Sequence, residues 1–388
     1  MVEKITDGVR YIGVEDRELE LFESQYTVED GMRYNSYVII DEKVAVMDSV
    51  DDVKIEEWLE NLAEALAGRT PDYVVVSHME PDHSAGLERL IDLYPEMKIV
   101  GNAKTFPMIS QFFDCDLSDR SVVVKEGEEL ELGAERSLKF VMAPMVHWPE
   151  VMLAYDTKDK VLFSADAFGK FGAESTAEDW KCEARRYYYN IVGKYGANVQ
   201  SLLKKLNGVE VNTIAPLHGP VLTSEIGKYV EIYDGWSKYE FEDKGVMIAY
   251  ASIHGNTRVA AEKMAEILKE EGAECVKLFD LSVGDQSFMV EDAFQMESLI
   301  VAAASYDAGV FPPMDHFLHH LKSKNYNGRK VAIIENGSWA PTAGKVMRAT
   351  LETMKKLSIY EPTLTIKSSY KESNRADMVA MAKWILAE

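Results

Sequence analysis

From Val246 onward the chain alternates short apolar runs with amphipathic stretches, and that rhythm constrains its fold more than any other feature of the sequence. Val246–Ala251 reads as a strand, followed by a Gly-Asn-Thr turn and a helix that runs to Glu271. Further strands are predicted at Cys275–Leu281, Ser298–Ser305, Lys330–Glu335 and Thr363–Ser368. Helices are predicted at Pro313–Lys324, Ala343–Leu357 and Arg375–Ala387. Five strands alternating with helices over about 140 residues predict a doubly wound, five-stranded parallel sheet.

The stretch before it has another pattern. Short runs at Gly8–Gly13, Ser36–Ile40, Val44–Asp48, Tyr73–Ser77, Lys98–Val100, Leu138–Met142, Val151–Tyr155 and Val161–Ser164 read as strands. Amphipathic helices are predicted at Val53–Leu66, Ala85–Tyr94 and Ala197–Leu206. Tight polar turns, as in Ile40-Asp-Glu-Lys-Val44, join strands into antiparallel hairpins, so this half is expected to be an α/β sandwich with mixed sheets. The polar stretch Ser237–Lys244 (SKYEFEDK) separates the two, giving expected domains 1–244 and 245–388.

Composition excludes several classes of function. A formal net charge of -23 repels phosphates, so no nucleic acid or anionic membrane is expected as a partner. The three cysteines, Cys115, Cys182 and Cys275, are too far apart in sequence for a C-x-x-C metal knuckle and read as isolated thiols in a reducing compartment. The N-terminal sequence lacks the basic and apolar regions of a signal peptide, and no uncharged apolar run approaches about 18 residues. A soluble, cytoplasmic protein is expected.

The strand Tyr73–Ser77 runs into His78-Met79-Glu80-Pro81-Asp82-His83, which holds four potential metal ligands within six residues. Taken alone, such a loop can be a polar surface turn. Next to a buried strand, however, so much imidazole and carboxylate is unfavourable unless something compensates for it, and a metal ion would. His147 follows the strand Leu138–Met142, Asp166 follows Val161–Ser164, and His218 follows the apolar run Thr213–Ala215. Each is a ligand-type side chain at the end of a strand.

These positions resemble the metallo-β-lactamase superfamily, whose αββα sandwich gathers two metals at such strand ends. The hydrolytic members carry H-x-H-x-D-H; this chain carries H-x-E-x-D-H, with Glu80 at the second imidazole position. A carboxylate there makes the donor set harder and suits iron better than zinc. The pattern, with the later His, Asp and His, is that of the flavodiiron proteins. The resemblance implies that His78, Glu80 and His147 hold one iron, that Asp82, His83 and His218 hold the other, and that Asp166 bridges them. Glu150 is expected to orient a ligating imidazole, and within Arg185-Arg186-Tyr187-Tyr188-Tyr189 the tyrosine singled out as a donor to bound substrate is Tyr188.

In the second half, Ser252-Ile253-His254-Gly255-Asn256-Thr257 lies between a strand and a helix and offers hydroxyls and backbone N–H groups to a phosphate monoester. It matches neither G-x-G-x-x-G nor G-x-x-x-x-G-K-[ST]. The next two strand ends, Ser305-Tyr306-Asp307-Ala308-Gly309 and Asn336-Gly337-Ser338-Trp339, pair glycine with an aromatic, as loops around a flat ring do. The three loops resemble the FMN-binding loops of flavodoxins, with Trp339 as the aromatic nearest the ring. His316, His319 and His320 fall at helical spacing with no carboxylate or thiol partner evident, and read as a solvated helix face.

The resemblance as a whole implies an oxidoreductase that reduces O2 to water, NO to N2O, or both, at two irons supplied with electrons through FMN. It also implies a head-to-tail homodimer, or a dimer of such dimers, that brings the FMN of one subunit to the iron of the other. The electrons would come from a separate rubredoxin, from reduced coenzyme F420 or from a reductase. The sequence also admits two other readings. One is a zinc-dependent hydrolase with an accessory flavodoxin domain; the other is an electron carrier that uses only its FMN domain.

Overall fold

The computed structural model describes residues 2–387 except 175 and 179. It divides into two compact units, Met1–Ser237 and Lys238–Glu388. The division falls at the start of the polar stretch rather than its end, because Asp243 and Lys244 already belong to the first strand of the second unit, Asp243–Ala251, ahead of a register shift before Val246.

The first unit is built on two sheets. In one, strands Glu3–Lys4, Val9–Tyr11, Tyr37–Ile40 and Val44–Met47 pair antiparallel, and Val44–Met47, Tyr73–Val75, Lys98–Gly101 and Ser121–Val123 continue in parallel. In the other, Glu129–Gly133, Arg136–Met142, Met152–Asp156 and Val161–Phe163 run antiparallel, with Thr213–Ala215 added in parallel at the edge. Alternate residues from the two sheets meet in one core: Tyr37, Ile39, Ala45, Met47, Val75 and Val100 face Leu138, Phe140, Met152, Ala154, Phe163 and Ala215. The helix Ile55–Leu66 buries Ile55, Trp58, Leu62 and Leu66 along one stripe, and the left-handed Ala67 ends it.

The second unit has the parallel order Val276–Asp280, Asp243–Ala251, Met296–Tyr306, Lys330–Asn336 and Leu364–Ile366. Numbered along the chain this is 2-1-3-4-5, the flavodoxin-like order, with a topological switch point between the first and third strands. Val246, Ile248, Ile300, Ala302, Ala332 and Ile334 face the helices Asn256–Glu270 and Arg375–Leu386, which bury Met264, Leu268, Met378 and Met381 against them. The helix Gln286–Gln295 has no counterpart in the sequence reading, and the helix predicted over Ala343–Leu357 ends at Leu351. Among the described residues, no helix is long and apolar enough to cross a membrane.

Candidate functional site

The loop after the strand Tyr73–Val75 is held by its backbone. Asp48, at the end of the neighbouring strand, accepts hydrogen bonds from the N–H of Ser77 at 2.6 Å and of His78 at 3.3 Å. Pro81 opens a single helical turn, Pro81–Ser84, where its missing N–H is no loss, so Asp82 and His83 project from helical positions. The His83 carbonyl accepts from the Ser49 hydroxyl and N–H, each at 2.8 Å. His218 is clamped from behind: Asn35 donates to the carbonyls of Pro216 and Gly219, and the Tyr37 hydroxyl also donates to Pro216. Gly219 has φ +75, and a Cβ there would lie 2.7 Å from Lys170 Cγ, so glycine is required beside this ligand-type side chain.

The seven side chains named from the sequence converge. His78, Glu80, His147 and Asp166 form one group, and Asp82, His83 and His218 another, with ligand-type atoms within 4.8 Å of one another in each. Glu80 Oε2 stands 3.2 Å from His78 Nε2 and 3.0 Å from His147 Nε2. Asp82 Oδ2 stands 3.3 Å from the Nε2 atoms of both His83 and His218. Asp166 faces both groups: Oδ2 lies 3.2 Å from His78 and His147, and Oδ1 lies 3.4 Å from His83 and 3.8 Å from His218.

Electrostatics bind the cluster together. Burial pulls His147 down, but Asp166 and Glu80 reverse that and push it up to about 9. Burial likewise opposes a charged His78, yet Asp166, Glu150 and Glu80 hold it well above the usual imidazole range. Asp166 is raised by burial, and its imidazole neighbours, led by His78, hold it well below the carboxylate range. Despite these neighbours, the buried oxygens of Asp82 and Asp166 have no hydrogen-bond partner, and neither has His83 Nδ1. Carboxylate oxygens that are dry, ionised and without donors are unfavourable unless a cation compensates for them, and four imidazole nitrogens already point at them. The donor set therefore fits two metal ions sharing Asp166.

The outer partners of the imidazoles differ. His78 Nδ1 lies 2.8 Å from Glu150 Oε1, which also accepts the Met79 N–H, whereas His218 Nδ1 lies 2.8 Å from the carbonyl of Arg33. Of the three adjacent tyrosines, Tyr187 is the one whose ring stands against the cluster, 5.5 Å from His218. Burial, then Asp166, Glu80 and Asp82, push its hydroxyl pKa well up, so it stays a protonated donor. Tyr188, singled out from the sequence, instead packs among Tyr189, Tyr233 and Trp236. Tyr34 and Phe22 also set ring edges against His218. The sequence reading missed Asp48, although it is a carboxylate at the end of a strand, as Asp166 nearly is.

The second unit has a cavity of about 390 Å3 at the carboxyl ends of its strands, beside the switch point. Ser252, Ile253, His254, Asn256, Thr257, Ser305, Tyr306, Asp307, Ala308, Asn336, Gly337, Ser338 and Trp339 line it. Gly255 and Gly309 frame it without lining it. The first has φ +85 at the helix start and donates to Ser252 Oγ; the second accepts from the Thr342 hydroxyl. Ala340, which follows Trp339 in the third loop, lines the cavity too, and so do Ala304, Thr342 and Ser368, which were not singled out from the sequence. Ser368 ends the last strand predicted from sequence, and that position was the available signal. Trp339 stands 92% exposed at the mouth.

The "ODP family beta lactamase" model matches residues 32–219. A nitric oxide reductase of Moorella thermoacetica is 28% identical over 373 residues, spanning 94% of this chain and 92% of that protein. The rubredoxin oxygen:oxidoreductase of Desulfovibrio gigas superposes with a TM-score of 0.94 at 25% identity, covering 100% of this chain and 98% of that one. The flavodiiron protein of Giardia intestinalis has the same fold, with a TM-score of 0.94 at 24% identity over 100% of this chain and 96% of that one.

Proposed function

The chain belongs to the flavodiiron proteins, and on that premise we propose that it reduces dioxygen to water, nitric oxide to nitrous oxide, or both, at a di-iron centre supplied through FMN. The observation that carries the reading is Glu80, the side chain that departs from the zinc pattern, in a cluster that Asp166 spans. Glu80 stands where hydrolytic relatives carry an imidazole, and Asp166 turns one oxygen to each group of ligands. Two irons held there would supply electrons and open coordination positions for a diatomic substrate, and FMN would take electrons in pairs and release them singly.

The chain's own residues do the rest. His78, Glu80 and His147 would hold one metal, Asp82, His83 and His218 the other, and Asp166 offers an oxygen to each group. Glu150 accepts from His78 Nδ1, fixing its tautomer so that Nε2 faces the metal. Tyr187 keeps its proton and serves as the hydrogen-bond donor beside the site, the role the sequence reading gave to Tyr188. Ser252–Thr257, at the start of the helix Asn256–Glu270, would hold the phosphate of FMN. The loops 305–309 and 336–339 would hold the flavin ring, with Trp339 as the aromatic available to it. A head-to-tail homodimer brings flavin and iron together, and a separate rubredoxin, reduced F420 or reductase delivers the electrons.

The test is anaerobic turnover of the reduced, iron-loaded protein with O2 and NO in parallel, together with metal analysis. Water and N2O as products, with iron bound, are expected. Bound zinc together with thioesterase-type turnover would overturn the reading.

A further inference from the structure

Outside the cluster of the first unit, the helix Pro312–Ser323 carries three histidines, and two of them meet. His316 and His320 sit one turn apart, with rings at right angles, centroids 4.4 Å apart and Nε2 atoms 2.9 Å apart. We propose that this pair is a chelating site for a divalent late first-row transition ion of the Ni2+ or Cu2+ type. The proposal is independent of the di-iron reading.

Three observations carry it. The first is geometric. An ion bound by imidazole at about 2.0–2.1 Å spans nitrogens 2.9 Å apart when the angle at the metal is about 90°. That is the cis angle of tetragonal and octahedral complexes, the geometries of Cu2+ and Ni2+; a tetrahedral zinc site would need the nitrogens about 3.3 Å apart. The second is accessibility. His316 lines a shallow hollow with Pro312, Asp315, His319, Lys322 and Thr350, leaving room for water in the remaining coordination positions. The third is protonation. Burial, then His316, Lys324 and His319, pull His320 down to about 4, so a neutral imidazole is ready to bind well below neutral pH. His319 is set differently: its ring is 6.4 Å from that of His320 and stands outside the pair. Lys322 and Lys324 oppose a cation, while Asp315 and the net charge of -23 favour one.

Chelation across one turn would pin the helix that begins just after the loop of Tyr306 and Asp307, and so stiffen one wall of the flavin cavity. The test is calorimetric titration of Ni2+ into the iron-loaded holoprotein, with iron content measured afterwards so that exchange at the first centre is seen. His316→Ala and His320→Ala should each weaken Ni2+ binding by about tenfold or more, while His319→Ala should change it less than about twofold. The EPR spectrum of substoichiometric Cu2+ should show two coordinated nitrogens and lose that signature in either of the first two variants. No Ni2+ binding by the parent protein, an affinity in His316→Ala or His320→Ala equal to the parent's, or an equal loss in His319→Ala would each overturn the proposal.

Discussion

The two candidate cofactor sites solve opposite problems. The cluster in the first unit consists of ionisable side chains in a dry interior: His78, His83, His218 and Asp166 are fully buried, and the oxygens of Asp82 and Asp166 have no hydrogen-bond partner. The cavity in the second unit is open, lined by small polar side chains and loop backbone, with Trp339 standing in solvent at its rim. In the first, specificity lies in which side chains are present, and changing one alters the chemistry. In the second it lies in where the backbone runs, and many side chains there could change without moving the loops.

This contrast predicts a gradient of mutational effects. Asp166→Ala should be the most damaging change, since each of its oxygens faces a different group; metal affinity should fall by more than about 100-fold, read as iron retained through gel filtration. Retention of both irons in that variant would break the contrast at its strongest point. Glu150→Gln should come next. It keeps the shape but removes the charge behind His78, and iron affinity should fall by about 10- to 100-fold. The counterpart in the open cavity should be milder. Trp339→Ala should weaken FMN binding about threefold to tenfold, measured by fluorescence titration of the flavin-free protein, with no loss of thermal stability because the indole is exposed.

The smallest effect concerns pH. His320 titrates at about 4 in the folded protein, below the ordinary imidazole value, so between about 6.5 and 4 the unfolded chain binds more protons than the folded one. Stability therefore falls as pH drops through that window, and His320→Gln should flatten this part of the curve in thermal melts of the metal-free protein. An unchanged slope would show that His320 is more solvated than its neighbours imply.

The same contrast explains what could be read from the sequence. Metal chemistry needs particular side chains, so His78 through His218 could be named one by one, and the fold gathers them into one group of four and one of three. The cavity of the second unit was legible by location, since strand ends share one edge of a parallel sheet, but Thr342 enters through chain folding that no local pattern reports. Some of the fold was silent for similar reasons. The helix Gln286–Gln295 is buried at every position from Met289 to Phe294, so it shows no amphipathic period. The strands Val14–Asp16 and Met32–Tyr34 are three residues long, too short for alternation to register, yet the second supplies the Arg33 carbonyl behind His218. Tyr187 and Tyr188 are adjacent and chemically identical, and only the backbone between them decides which ring reaches the cluster.

Asp166 has a consequence for how long the protein lasts in a cell. A buried carboxylate that faces both groups of ligand-type side chains couples the stability of the first unit to its metals, since each bound cation deepens the native basin by mass action. Newly made chains that reach their fold before they reach iron would open more often around the loops of Glu80 and Asp82, and proteases act on the open form. Iron supply would then set the abundance of the protein as well as its activity, with starved chains cleared before they accumulate.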